Sequence, residues 1–184
     1  MQYQKRVCFV DVDGVLANLG DAWMDAYNKD YDDTLTDDML TDWNVLKFVK
    51  PECGEKIFDY LHDPELYNNV QVIDGANAGV SFIRQSGFRV VFATSSVNGS
   101  AGRKYRWLID NGFIDFRNHP KDYIEIQDKS LLIGNDNVLI DDGFHNVNAF
   151  TGFGILFRAP HNLKEQWHTV LYGWEDIYRI LRSD

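Results

Sequence analysis

The sequence predicts an α/β fold: a parallel sheet flanked by helices, with a small, mainly helical insertion after the first strand. Three observations predict it. The runs "VCFVDV", "FRVVFATSS", "NVLIDD" and "FGILFRA" are apolar in succession rather than alternately. Continuous apolarity marks strands buried on both faces, as in a parallel sheet. Segments with helical spacing lie between such runs, and parallel neighbours need crossovers of that kind. The stretch from Asn18 to Val72 breaks the rhythm, being acidic, aromatic and poor in strand-like runs.

The elements follow in order. "VCFVDV" is the first strand, with Cys8 as a small buried residue. Residues 18–72 then leave the core. Most of their aromatics, from Trp23 to Tyr67, are expected to form a miniature core, because a small unit needs large side chains to bury enough area. Cys53, in "PECGE", is expected in a loop. Neither cysteine has the spacing of a zinc site or redox pair. "GANAGVSFIRQSG" groups Ala78, Phe82 and Ile83 on a helix face and meets Gly87 as its stop. "GRKYRWLIDNG" groups Tyr105, Leu108 and Ile109 and ends at Asn111-Gly112. After the last two strands, the tail from Leu163 to Asp184 reads as a terminal helix packed through Trp167, Trp174 and Ile177.

A chain of 184 residues suits one globular domain with a modest insertion. No apolar run approaches the ~18 residues that span a bilayer, and the first residues lack a signal peptide's pattern. A soluble, cytoplasmic protein is expected, with no membrane partner. The formal net charge of −10 comes from 18 Lys and Arg against 28 Asp and Glu. Such a surface repels a polynucleotide. It still admits one small phosphate ester, if local cations or a metal receive it.

In open α/β sheets, ligands bind beyond the carboxyl ends of the strands. Those ends carry Asp11 and Asp13, then Thr94 and Ser95, then Asp141 and Asp142, with Lys129 shortly before the last pair. Two unit charges about 4 Å apart repel by roughly 4 kcal/mol at an effective dielectric near 20, so four carboxylates need a cation. Mg²⁺ suits an all-oxygen set, and no His or Cys beside these motifs speaks for zinc. A calcium loop is excluded: Val15 and Leu16 follow Asp13, and no Glu lies in the next dozen residues.

This arrangement resembles the haloacid dehalogenase (HAD) superfamily, whose motifs occur here in order: "DVDGV", the hydroxyl closing "VVFATS", a lysine best matched by Lys129, and the acidic pair of "VLIDD". The resemblance implies a Rossmann-like three-layer core of residues 1–17 and 73–184, and a helical cap of residues 18–72. Phosphatases of the superfamily carry Asp at the position of Asp13. By the resemblance, Asp11 attacks phosphorus to form an aspartyl-phosphate, and Asp13 is general acid and then general base. Thr94 and Lys129 hold phosphate oxygens, and Gly14 makes the tight turn. Mg²⁺ is implied on the Asp11 carboxylate, the Asp13 main-chain carbonyl and the Asp141/Asp142 pair, with Asp142 as the direct ligand.

Within the superfamily, "DVDGVLA" followed by an aromatic, acidic insertion resembles the 5′(3′)-deoxyribonucleotidases. "TSS" implies a phosphate contact for Ser95, "RKYRWL" one for Lys104, and "TDWNV" places Trp43 beside the base. The chain departs from that family at Asn18, where an acid is frequent, and at Gly143, where an Arg is frequent. The loop between Thr94 and Lys104 is also short.

Rival readings stand beside these. Lys121 competes with Lys129 as the motif lysine. Lys104, with Arg103 and Arg106, also fits the exposed face of a helix, and Trp43 also fits a core position. His62, His119, His145, His161 and His168 are dispersed and read as surface or capping residues. The expected function is Mg²⁺-dependent hydrolysis of (deoxy)ribonucleoside monophosphates to nucleoside and phosphate, and a homodimer is compatible with it. The alternatives are a phosphatase of another small metabolite, a polynucleotide 3′-phosphatase and a non-catalytic phosphate-binding protein.

Overall fold

The computed structural model describes residues 6–63, 65–97, 100–119 and 121–181. Residues 1–5 of the expected core and the last three of the expected terminal helix lie outside the described residues.

Six strands form one sheet: β1 (Val7–Val10), β4 (Arg89–Thr94), β5 (Tyr123–Glu125), β6 (Val138–Asp141), β7 (Phe153–Phe157) and β8 (Val170–Leu171). Their order is β5-β4-β1-β6-β7-β8, and every pair is parallel. The chain fills one side of β1 and then crosses to the other. The carboxyl end of β1, flanked by β4 and β6, is therefore the switch point where such sheets bind ligands.

The apolar runs are continuous because both faces are covered. Cys8 and Val10 join a cluster with Val80 and Ile83 of α3 (Ala76–Gln85) and with Trp107 and Leu108 of α4 (Ala101–Asp110). Phe9 points the other way, to Val147 of α5 (Phe144–Ala149), Phe150 and Leu156.

The insertion opens at β2 (Ala17–Asn18) and closes at β3 (Gln71–Val72), which pair antiparallel as a separate two-stranded sheet. Between them lie α1 (Leu19–Tyr31), three 3-10 helices and the short α2 (Leu66–Asn69). The longest helix has 13 residues, and no described helix is long and apolar enough to cross a membrane. A third cluster, including Met24, Tyr27, Leu40, Val45 and Ile57, belongs wholly to the insertion.

Three expectations are corrected and two are extended. Ala78 faces solvent, and Ala76, Gly79, Val80 and Ile83 form the buried face of α3. Trp107 adds to the buried face expected of α4. Cys53 stands in a turn, as expected, and is in addition buried in the insertion's cluster. Tyr67 packs with Leu66 and Val70 in the main cluster rather than in the miniature core. The tail is not one helix: it supplies strand β8, a 3-10 turn at Trp174–Asp176 and the short α6 (Ile177–Ile180). The aromatic anchors of the tail explain this. Trp174 and Ile177 are buried, and Trp174 Nε1 donates to the Val15 carbonyl at 2.8 Å. A Cβ on Gly79 would run into the Trp174 ring, so that glycine makes room for it. The tail thus pins the turn after β1.

Candidate active site

The site is built on that turn. Asp11 N extends the ladder to Ile140 O at 2.9 Å, so the strand holds the first carboxylate firmly. Asp11 Oδ1 accepts from Val12 N at 2.8 Å and pairs with Lys129 Nζ at 2.9 Å. Among the described residues, Oδ2 accepts no hydrogen bond. Gly14 follows with φ +71°, where an L side chain is strained, and a Cβ there would collide with Asp142 Oδ2. The glycine therefore serves both the turn and the close approach of two acidic segments.

Asp13 turns away from Asp11. Lys104 Nζ donates to its Oδ2 at 2.5 Å, and the Tyr67 hydroxyl donates to Oδ1. Lys104 is buried and reaches Thr94 Oγ1 at 3.3 Å and the Ser95 carbonyl. It is not on an exposed helix face. Thr94 is buried at the end of β4, and Ser95 is exposed beside it and faces the cavity.

Lys129 lies between two carboxylates, with Asp141 Oδ2 at 2.5 Å on its other side. Burial works against its charge, but Asp11 and Asp141 outweigh that and raise its pKa. Lys121 is exposed and does not line the cavity. Asp141 is fully engaged: its Oδ1 also accepts from Gly143 N at 2.8 Å and Asn146 Nδ2 at 3.0 Å. Burial and Asp11 push it up to about 6. Among the described residues, the Asp142 carboxylate accepts no hydrogen bond, and burial, Asp11 and Asp141 push it well above the usual range.

Asp11, Asp141 and Asp142 each place an oxygen within 4.8 Å of the others. Three buried carboxylates with one lysine leave uncompensated negative charge, and every donor is a hard oxygen. The residues fit a divalent cation of the Mg²⁺ type.

A cavity of about 520 Å³ opens above this floor, within the range of small-ligand sites. Its wall includes Trp43, which is 62% exposed and not a core residue. The Trp43 ring meets His145 and His161 edge-on, at 5.1 and 4.8 Å between centroids. Burial keeps both imidazoles below their ordinary pKa. Both line the cavity; His145 is nonetheless exposed, as a surface residue would be, whereas His161 is partly buried. His161 Nε2 lies 3.5 Å from an Asp142 carboxylate oxygen. Buried Asn162 donates to the Asp142 carbonyl at 2.8 Å and fixes that segment.

Asp37, also on the cavity wall, fits against Gly20, where a Cβ would strike its carboxylate. Burial, with Asp21 and Asp38 nearby, pushes it up to about 6. Its unfolded value is about 4, so within that window the folded state binds the extra proton. Stability then falls as pH rises, and the penalty is complete above about 6. Asp37→Asn should raise the melting temperature by about 1–3 °C above that window and leave it unchanged below it. Thermal melts across pH check this.

Tyr67, Asn162, His145, His161 and Asp37 were not apparent as site residues in the sequence. Tyr67 meets Asp13 across 54 residues of sequence, and His145 meets Trp43 only through the fold.

Parallel sheet, helical crossovers and acidic switch point together define a protein of the HAD fold. The chain superimposes on a HAD family hydrolase of Deinococcus radiodurans R1, solved with phosphate and sodium, with TM-score 0.65 and 16% identity over 96% of this chain and 94% of that one. A HAD-type hydrolase of Bacillus subtilis bound to magnesium gives 0.60 and 18% over 97% and 99%. The family described as "5′ nucleotidase, deoxy (Pyrimidine), cytosolic type C protein" matches residues 5–183, and the chain belongs to it. With that family, it is a phosphoric monoester hydrolase. It is 31% identical to the 5′(3′)-deoxyribonucleotidase of Bacillus subtilis, over 96% of this chain and 99% of that protein.

Proposed function

We propose that the protein is a cytoplasmic, Mg²⁺-dependent phosphatase of (deoxy)ribonucleoside monophosphates that works through an aspartyl-phosphate. The observation that carries this reading is the divergence of the first two acids. Asp11 faces Lys129 and the acidic pair, whereas Asp13 faces Tyr67 and Lys104. That divergence supports giving attack to one carboxylate and proton transfer to the other. Named relatives that act on deoxyribonucleotides support the substrate class.

In the first step, an Asp11 oxygen attacks phosphorus while the phosphorus–ester bond breaks, and Asp13 gives its proton to the departing alcohol oxygen. In the second, Asp13 takes a proton from water as the water attacks phosphorus, releasing Asp11 and phosphate. Thr94, Ser95, Lys104 and Lys129 supply donors and positive charge to the phosphate oxygens. Mg²⁺ would be held by Asp11, the Asp13 carbonyl and Asp142, with Asp141 supporting them. When bound, it supplies charge neutralisation at the phosphate. Residues 18–72 act as the cap that selects substrate.

The test is phosphate release from a panel of deoxy- and ribonucleoside monophosphates and sugar phosphates, with Mg²⁺ and with chelator. Preference for nucleotides and loss of activity in chelator are expected. Preference for sugar phosphates would remove the nucleotide reading. Trp43→Ala should raise KM for nucleotides about tenfold and change KM for p-nitrophenyl phosphate little, since a lost stacking partner is worth about 1–2 kcal/mol. Equal loss on both would make Trp43 structural.

A further inference from the structure

Asp13 needs a fixed direction, and the fold offers it two donors. Lys104 holds one oxygen, but it also reaches Thr94 Oγ1 and the Ser95 carbonyl, at the place assigned to the substrate phosphate. A lysine engaged by phosphate has less to give Asp13. Tyr67 holds the other oxygen and has no such competing duty. Its ring is buried with Leu66 and Val70 in the main cluster. The next turn of chain is tied to α4 by Trp107 Nε1 donating to the Val70 carbonyl at 2.9 Å. Tyr67 and Lys104 thus approach Asp13 from two elements that are bonded to each other.

We propose that Tyr67 is the positioning residue for Asp13: its hydroxyl fixes Oδ1 and keeps Oδ2 turned to the phosphate and its leaving group. The inference rests on the acid/base reading of Asp13. It also gives the inserted segment a part in the chemistry, because Tyr67 precedes β3 and comes from within residues 18–72.

Leaving-group dependence tests it. A nucleoside alkoxide must be protonated as it departs, whereas p-nitrophenolate leaves without that help. The parameter kcat/KM reports only steps through departure of the leaving group. Tyr67→Phe keeps the packed ring and loses one hydrogen bond, so its melting temperature should stay within about 4 °C of wild type. Its kcat/KM for a deoxyribonucleoside monophosphate is expected to fall about 10- to 30-fold, with that for p-nitrophenyl phosphate changed less than about threefold. An equal fall on both substrates, or no fall on the nucleotide, overturns the proposal. Asp13→Asn, measured in parallel, separates the two ideas. If it spares nucleotide hydrolysis, the acid/base reading itself fails. If it abolishes nucleotide hydrolysis while Tyr67→Phe behaves as wild type, only the role of Tyr67 fails.

Discussion

Replacing Asp11 by Asn is expected to reduce hydrolysis of every phosphomonoester by about 10⁴-fold or more, a loss typical of removing a nucleophile. The amide preserves the shape and the oxygen that accepts from Val12 N, so the turn should persist. It removes one charge from a site where Asp141 and Asp142 already sit in buried, mutually repelling positions. The melting temperature should therefore hold or rise. Acid-quenched reactions should trap a phosphorylated protein from wild type and none from the variant. A variant with more than about a hundredth of wild-type activity would exclude Asp11 as the nucleophile.

Lys129→Met should damage both activity and stability. The ammonium is buried and shared by Asp11 and Asp141, and an apolar side chain leaves both unpaired. Breaking such a buried pair costs about 3–5 kcal/mol, or a melting temperature lower by about 10 °C in a domain of this size. Burial already raises Asp141 and the lysine counters that, so without the lysine the folded state holds the Asp141 proton to still higher pH than the unfolded chain does. The deficit should therefore shrink as pH falls and grow as pH rises. By the proposed metal reading, Mg²⁺ should restore part of the stability, as a ligand selective for the folded state does. The exposed Lys121, changed in the same way, should shift stability by no more than about 0.5 kcal/mol. Melts of both variants, with and without Mg²⁺, decide which lysine belongs to the site.

The central strands were legible because a doubly buried strand has a plain signature. β1, β4, β6 and β7 all arise from the four apolar runs. β5 and β8 carry little such signal. They are edge strands of three and two residues, and β5 is partly exposed. The tail departs from a single helix for a related reason: Trp167, Trp174 and Ile177 are apolar at near-helical spacing, yet tertiary packing decides their backbone. The acids, Thr94 and Lys129 stand at or near strand ends, where topology alone gathers them. Tyr67 reaches Asp13 across 54 residues of sequence, and nothing around "ELYNN" marks it. His145 and His161 follow the ends of β6 and β7 and so reach the site by topology, where they meet the Trp43 ring.

The insertion enters and leaves the core through two residues of β2 paired with two of β3. Its ends are thus neighbours, and closing a loop between neighbouring points depends only weakly on loop length. To the sheet, a longer, shorter or differently shaped insertion looks almost the same. Over evolutionary time the two parts can change at different rates: the acids stay bound to the sheet's geometry while the walls of the cavity diversify. Tyr67 sets the limit on that freedom. It is the point in the exchangeable segment where a replacement must still reach back to Asp13, so successful exchanges should either keep a donor there or supply one from elsewhere.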